Sequence, residues 1–249
     1  MPRTATLVSE VPVLLRVNDA PWASWSATPG GGRALVVGRM VADGLLHEAA
    51  DLLDLHVSDD AAHATGAPAT SAAAAALVAE ARVTAAALER ALVERAGRAA
   101  EGLAWYLAAG RLPTRERALP LPSPDALRDL FRALFADTDA RHPGGGVHAA
   151  ALTDGAGLLL QVEDVGRHNA VDRAVGRIHL DGLDAGGLGL VLSSRVSGEA
   201  ALKAARAGVA WVASRSAATT LAAALAAAAG LPLVARAAGP AAEVLGEVP

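Results

Sequence analysis

The 249-residue chain contains no cysteine. That absence removes disulfides, thiolate metal sites, redox CxxC chemistry and a cysteine nucleophile together. Aromatic residues are also scarce, at 3% of the chain, so a core has to be assembled mainly from aliphatic side chains. Long apolar runs are missing too. The longest, Leu221 to Leu231, is far short of the roughly 20 residues that cross a bilayer, so no membrane association is expected. Val11 to Leu15 is too brief for a secretory signal and has Glu10 and Pro12 at its edge, so a cytoplasmic protein is expected. The net charge of -4 provides no basic footprint for a phosphate backbone, which argues against a nucleic-acid partner.

Polar chemistry is concentrated between Val162 and Gly176. Glu163, Asp164, Arg167, His168 and Asn169 crowd around Gly166, where an apolar strand ends and a helix begins. The length suits either one domain or two modest ones sharing an interface. A boundary is expected in the proline-rich stretch Leu112 to Asp125, dividing the chain into an α+β unit over residues 1–110 and a second unit over 111–249.

The N-terminal part opens with a strand, Leu7 to Val17, closed by the turn residues Asn18-Asp19. A loop from Thr28 to Gly32 precedes mixed helical spacing over Ala34 to Leu53. From Ala61 to Gly110 the alanine content blurs helix and strand, although Glu94 and Arg98 at i, i+4 favour a helix. Ala126 to Phe135 reads as a short amphipathic helix. Beyond Gly144 the pattern is regular. Strands are expected at Val147–Leu152, Gly157–Val162, Leu188–Leu192, Val209–Ala213 and from Leu233, with helices from about Ala170, over Gly198–Ala207 and over Ala217–Ala229. Such alternation implies parallel strands with helices on both faces.

Three polar loops in this part follow strands, open helices and carry one arginine each: Arg167, Arg195 and Arg215. In open α/β sheets, ligands bind beyond the carboxyl ends of strands, where helix N-termini present free N–H groups and a positive dipole. With a guanidinium in each loop, the sheet edge is expected to form an anion receptor for a ligand bearing several phosphates. Ser197, Ser216 and the pair Asn169/Asp172 also read as helix N-caps with no ligand role. Glu163 and Asp164 are adjacent, so on an extended strand they point to opposite faces. With His148 and His168 too few and cysteine absent, no protein-ligated metal is expected.

The run Glu163-Asp164-Val165-Gly166-Arg167-His168-Asn169-Ala170-Val171-Asp172 resembles the signature of the formate dehydrogenase accessory sulfurtransferase family, FdhD. Other segments agree in order. Gly145-Gly146-Val147-His148-Ala149-Ala150-Ala151 is similar to its TGGxHAAA strand, with Gly144 in place of threonine. Ser193-Ser194-Arg195-Val196-Ser197-Gly198-Glu199, with Lys203 and Gly208, resembles its SSRxSxE helix start. Ser216-Ala217-Ala218-Thr219-Thr220-Leu221-Ala222 resembles SAATTLA, and Thr28-Pro29 with Gly38 and Gly44 matches N-terminal positions more loosely.

The resemblance implies a cytidine-deaminase-like C-terminal domain, with a mixed or parallel sheet covered by helices, and a homodimer. It implies binding of the bis-molybdopterin guanine dinucleotide cofactor as cargo, and sulfur transfer to it from a cysteine desulfurase on behalf of formate dehydrogenase or another molybdoenzyme. The residues it carries over for cofactor binding are His148, Gly166, Arg167, His168, Asn169, Ser194, Arg195, Ser197, Ser214, Arg215, Ser216, Arg236 and Gly239.

The chain departs from the family where sulfur is carried. The family's AGRxGCGVCG run corresponds to Ala96-Gly97-Arg98-Ala99-Ala100-Glu101-Gly102-Leu103-Ala104, placing Glu101 and Ala104 where the cysteines belong. Neither can form a persulfide. The family's aromatic and basic segment after the last strand is reduced here to Ala235-Arg236-Ala237-Ala238-Gly239-Pro240. Two readings follow: a maturation factor using another sulfur route or a partner's cysteine, or a non-catalytic relative that binds a molybdopterin dinucleotide or a related nucleotide. A third, an unrelated α/β enzyme using Arg167, His168 and Asn169 as catalytic groups, lacks a recognisable nucleophile and base.

Overall fold

The computed structural model describes residues 7–58, 76–113, 119–240 and 242–245. Parts of the alanine-rich segment and of the proline-rich stretch therefore lie outside the described residues. Strands β1 (Val11–Val17) and β2 (Ala20–Ala27) form a hairpin. The expected turn is there: Asn18 and Asp19 both take positive φ, 46° and 65°, the two-residue geometry whose twist matches the flanking strands. Strands β3 (Leu52–Ser58) and β4 (Leu77–Val83) complete a mixed sheet ordered β2-β1-β4-β3. The helical spacing after the Thr28–Gly32 loop resolves into helix α1 (Gly32–Ala42), with β3 taking the end of that stretch.

Helices α2 (Ala85–Glu101) and α3 (Trp105–Ala108) follow, and α4 (Pro124–Arg141) begins earlier and runs further than expected. Ser123 caps α4 by accepting from the Ala126 N–H, and Pro124 occupies its first turn, where its missing N–H is not needed. Helix α2 is present, yet the i, i+4 pair expected to support it is not. Glu94 turns inward to Arg206 and Tyr106, and Arg98 reaches Asp43 instead.

The second sheet holds six strands: β5 (His148–Thr153), β6 (Leu158–Asp164), β7 (Gly189–Leu192), β8 (Trp211–Ser214), β9 (Leu233–Ala235) and β10 (Glu243–Leu245). Its order is β10-β9-β8-β7-β5-β6. The expectation of parallel strands holds for β7, β8 and β9 alone; β5 runs antiparallel to both β6 and β7, and β10 antiparallel to β9. Length of connection explains the difference. A tight turn in which Asp154 accepts from the Ala156 and Gly157 N–H groups can only reverse the chain, whereas a helical crossover returns it in the same direction.

Side chains alternate across this sheet. Ala149, Ala151, Val191, Trp211, Ala213 and Val234 meet Leu127, Leu130, Phe131 and Leu134 of α4. Ala150, Leu152, Leu190, Leu192, Val212 and Leu233 meet helices α5 (Arg167–Leu180), α6 (Gly198–Ala207) and α7 (Thr220–Ala228) on the opposite face. That second core continues without a break into α1 and the buried faces of β1 and β4.

Helices α1 and α5 touch backbone to backbone. A Cβ on Gly38 would lie 1.8 Å from the Asp172 carbonyl oxygen, and one on Gly176 would lie 1.8 Å from that of Ala34. Glycine costs about 1 kcal/mol in a helix interior relative to alanine; here it permits the close approach that joins the two sheets' helices. Gly38→Ala and Gly176→Ala are each expected to lower the unfolding free energy by about 3 kcal/mol in urea titrations. Gly157→Ala, which meets nothing within 4 Å, should change it by less than about 0.5 kcal/mol.

Candidate functional site

The strand registers bring the three arginine loops to one edge. His148 pairs with Asp164, Ala150 with Leu192, Leu192 with Ser214 and Ala213 with Val234. The start of β5 and the ends of β6, β7, β8 and β9 therefore align, carrying His148, Arg167, Arg195, Arg215 and Arg236 to the same side. Arg195, Arg215 and Arg236 are exposed, and Arg167 and His148 are half-buried. The nearby carboxylates are engaged elsewhere: Glu163 with Arg141 and His142, Asp164 with Arg173, and Glu199 with Lys203. Among the described residues, Arg167 and Arg195 have no carboxylate partner. Arg215 lies over the Phe135 ring at 4.5 Å, and Arg236, in the left-handed region at φ 52°, pairs with Glu243 at 2.6 Å. Burial, then the Arg167 charge, holds His148 below the usual histidine range, so its ring is neutral near pH 7.

The loops are pinned by their own serines. Ser193 Oγ accepts from the Ala149 N–H at 2.8 Å, and Ser214 Oγ donates to the Ser194 carbonyl at 2.6 Å while accepting from the Ser216 N–H. Ser214 is fully buried, so its role is to tie two loops together. Ser194 Oγ donates to the Arg195 carbonyl, and the Ser216 carbonyl accepts from the Arg236 N–H. Gly239 closes the last loop by donating to the Arg236 carbonyl.

Capping divides the three candidates. Ser197 caps α6 as expected, accepting from the Ala200 N–H at 3.4 Å. Ser216 does not cap α7; Thr219 does, because Ala217 to Thr219 are held as a short parallel bridge against Val196 and cannot join the helix. Asn169 is no N-cap either. Helix α5 starts at Arg167, three residues earlier than expected, with Gly166 as its cap, so Asn169 lies inside the first turn.

Asn169 instead joins a buried latch. Its amide donates to the Ser26 carbonyl at 2.8 Å and to Asp164 Oδ1 at 2.9 Å. The Asp164 carboxylate, fully buried, also accepts from the N–H groups of Gly166 and Thr28 and from Arg173 Nε at 2.9 Å. Arg173 continues to the carbonyls of Thr28 and Gly30, and Thr28 Oγ1 accepts from the Val165 N–H. The adjacent carboxylates do face opposite ways: Glu163 meets His142 at 2.9 Å on the α4 side.

One turn along α5, Asp172 pairs with Lys203 Nζ at 2.7 Å, both wholly buried. Lys203 also donates to the His168 carbonyl and lies 3.4 Å from Glu199, whose other oxygen is 3.8 Å from His168 Nε2. Burial lowers the His168 pKa, leaving that ring neutral near pH 7. Arg173, Glu199 and Lys203 were not singled out as site residues by the sequence. Their signal was present: charged residues on helix faces otherwise apolar require buried partners.

The turn holding Glu101 and Ala104, expected from the resemblance to stand where the family's cysteines lie, adjoins this edge. Glu101 ends α2, Gly102–Ala104 form a single 3-10 turn, and Glu101 and Ala104 are both exposed. Leu103 packs on the first residue of α6: a Cβ on Gly198 would lie 3.3 Å from Leu103 Cδ1.

The model of the FdhD/NarQ family matches residues 8–247. The chain belongs to the FdhD/NarQ family. It is 36% identical over 238 residues to the sulfur carrier protein FdhD of Streptomyces coelicolor, spanning 93% of this chain and 84% of that protein. It is 34% identical over 232 residues to the FdhD of Burkholderia mallei, spanning 90% and 82%. The crystal structure of a protein assigned as a formate dehydrogenase accessory protein from Desulfotalea psychrophila shares the fold, with a TM-score of 0.70 at 21% identity over 97% of this chain and 88% of that one. For this family member, the signature segment thus has a measurable structural share in the latch between Thr28 and β6.

Asp164→Asn leaves Arg173 buried without a countercharge and is expected to cost about 3–5 kcal/mol of stability in denaturant titrations. Thr28→Val, losing one hydrogen bond, should cost about 1 kcal/mol. Asp172 supplies a pH signature. Burial pushes its carboxyl up to about 6 against the pull of Lys203. A carboxyl that holds its proton more tightly folded than unfolded makes stability fall as pH rises from the unfolded value of 3.8 toward about 6. Asp172→Asn should flatten that slope in urea midpoints measured across this range; an unchanged slope would refute the assignment.

Proposed function

We propose that this chain serves formate dehydrogenase maturation by holding the bis-molybdopterin guanine dinucleotide cofactor at the sheet edge, without itself carrying sulfur. The observation that supports this reading most is the row of four arginines at one sheet edge, of which Arg167, Arg195 and Arg215 have no carboxylate partner among the described residues, beside a turn that presents Glu101 and Ala104. Four guanidiniums and the opening turns of α5, α6 and α7 suit a ligand with two pyrophosphates. The dinucleotide is cargo in this reading. Arg167, Arg195 and Arg215 bind its phosphates, with Arg236 at the far end of the row. His148 and His168, both neutral, offer ring nitrogens that can donate to or accept from sugar or pterin groups.

The curated relatives are named sulfur carriers, and their chemistry comes to this chain only as far as its residues allow. A carboxylate and a methyl group cannot form a persulfide, so sulfur delivered by a cysteine desulfurase would need a thiol from a partner. The same exposed turn could receive such a partner. The acceptor is formate dehydrogenase or another molybdoenzyme, and a cytoplasmic homodimer is the working form in this reading.

Two measurements test it. Guanosine diphosphate, a probe for one end of the dinucleotide, is expected to bind the intact chain, with Arg167→Ala and Arg195→Ala each weakening it about tenfold. Unchanged affinity in both variants would overturn the site. Incubation with a cysteine desulfurase and labelled cysteine should leave no sulfur on the protein by intact mass, whereas Glu101→Cys with Ala104→Cys should acquire it. Protein-bound sulfur on the unaltered chain would refute the carrier-silent reading.

A further inference from the structure

A second cluster of arginines lies away from the sheet edge, where β2, α1 and α2 meet. Arg39, Arg95 and Arg98 line a hollow of about 270 Å³ together with Trp22, Ser24 and Asp43. Each guanidinium is held in place. Arg39 Nε donates to Asp43 Oδ2 at 2.9 Å, Arg98 lies 3.5 Å from Asp43 Oδ1, and Arg95 donates to the Trp22 carbonyl at 2.9 Å while stacking over the Trp22 ring at 4.7 Å. The Trp22 indole N–H also donates to Asp43 Oδ2, at 3.0 Å. One carboxylate therefore serves three cationic or N–H donors, and among the described residues no other carboxylate forms an ion pair with these arginines.

Among the residues that line the hollow, three guanidiniums face one carboxylate, an excess of two positive charges in a partly desolvated concavity, with Asp172 and Glu199 acting on Arg39 only from outside it. Like charges held there repel, and the repulsion is relieved by an anion more effectively than by water. Each guanidinium has a fork of five N–H donors, and only one nitrogen of each is engaged among the described residues. Free forks converging from two helices match the tetrahedral oxygens of a phosphoryl group. A neighbouring hollow of about 660 Å³ shares Trp22, Ser24 and Arg95 and continues over Leu14 and Pro21, an apolar floor against the hairpin.

We propose that this cluster is a second anion site, which takes the phosphoryl group of a phosphate monoester between Arg39, Arg95 and Arg98, with the ester's apolar body along the β1–β2 hairpin. It does not rest on the sheet-edge reading, because none of its residues belongs to that row. It does adjoin the same turn, since Arg98 lies one helical turn before Glu101.

The test uses the full chain labelled with nitrogen-15, following the Trp22 indole N–H, assigned by its loss in Trp22→Phe. Inorganic phosphate at millimolar concentration is expected to shift this resonance in a saturable way, and phenyl phosphate to do so at lower concentration. Arg98→Gln, whose contact with Asp43 is the longest in the cluster, should weaken both about tenfold or more. Arg98→Lys should fall between, because it retains charge without the fork. Arg195→Ala should leave both titrations unchanged. The proposal fails if millimolar phosphate leaves the Trp22 resonance unmoved, if Arg98→Gln binds as tightly as the parent, or if binding disappears with Arg195→Ala. Equal affinity for inorganic and phenyl phosphate would overturn the part concerning the apolar body. Should Arg98→Gln unfold, Arg95→Gln carries the same expectation.

Discussion

The buried carboxylate of Asp164 is the constraint on which the rest of the architecture depends. It sits at the end of β6 with no exposure, and its acceptors are taken by Thr28, Gly166, Asn169 and Arg173. A charge so placed is tolerable only when every partner is present, so the loop after β2 and the start of α5 must dock together. The docking is what lets α1 lie on α5 at glycine distance. Gly38 and Gly176 then make the contact a matter of backbone against backbone, with no side chain to adjust.

Once that corner is set, the site geometry follows. Strand register aligns the ends of four strands with the start of a fifth, and serine side chains lock the loops beyond them into fixed turns. The arginines project from those loops, while Asp164 and Glu199 are engaged by the buried cations Arg173 and Lys203, and Glu163 by Arg141 and His142 at the end of α4. Lys203 illustrates the economy: one ammonium meets Asp172, Glu199 and the His168 carbonyl, and so fixes the inner wall behind the row of cations. The Glu101–Ala104 turn abuts the same wall through Leu103 and Gly198, beside the loop that carries Arg195.

Much of the fold was legible locally. The Asn18-Asp19 turn, five of the six strands of the second sheet and the helix after Ser197 were visible as turn chemistry and apolar periodicity, whereas β10 was not. Where the sequence misled, a long-range partner had outbid a short-range one. Glu94 and Arg98 at i, i+4 offer each other a few tenths of a kcal/mol on a helix surface. Glu94 instead neutralises Arg206, whose burial without a partner would cost several kcal/mol. Asn169 and Asp172 looked like a capping pair, but each answers a buried cation or carboxylate on another element. Ala217 reads as helical, yet a bridge to Val196 delays the helix until Thr220.

By itself the sequence determined most element types beyond Gly144, the family, the placement of one arginine in each of three strand-to-helix loops and the absence of any thiol. These are properties of residue identity and local spacing. The tertiary structure alone decided which charges pair, which serines face inward, that the second sheet is mixed, and that Arg39, Arg95 and Arg98 converge on a single carboxylate. Those outcomes depend on desolvation, which arises only when distant segments close over a group and force it to find a partner.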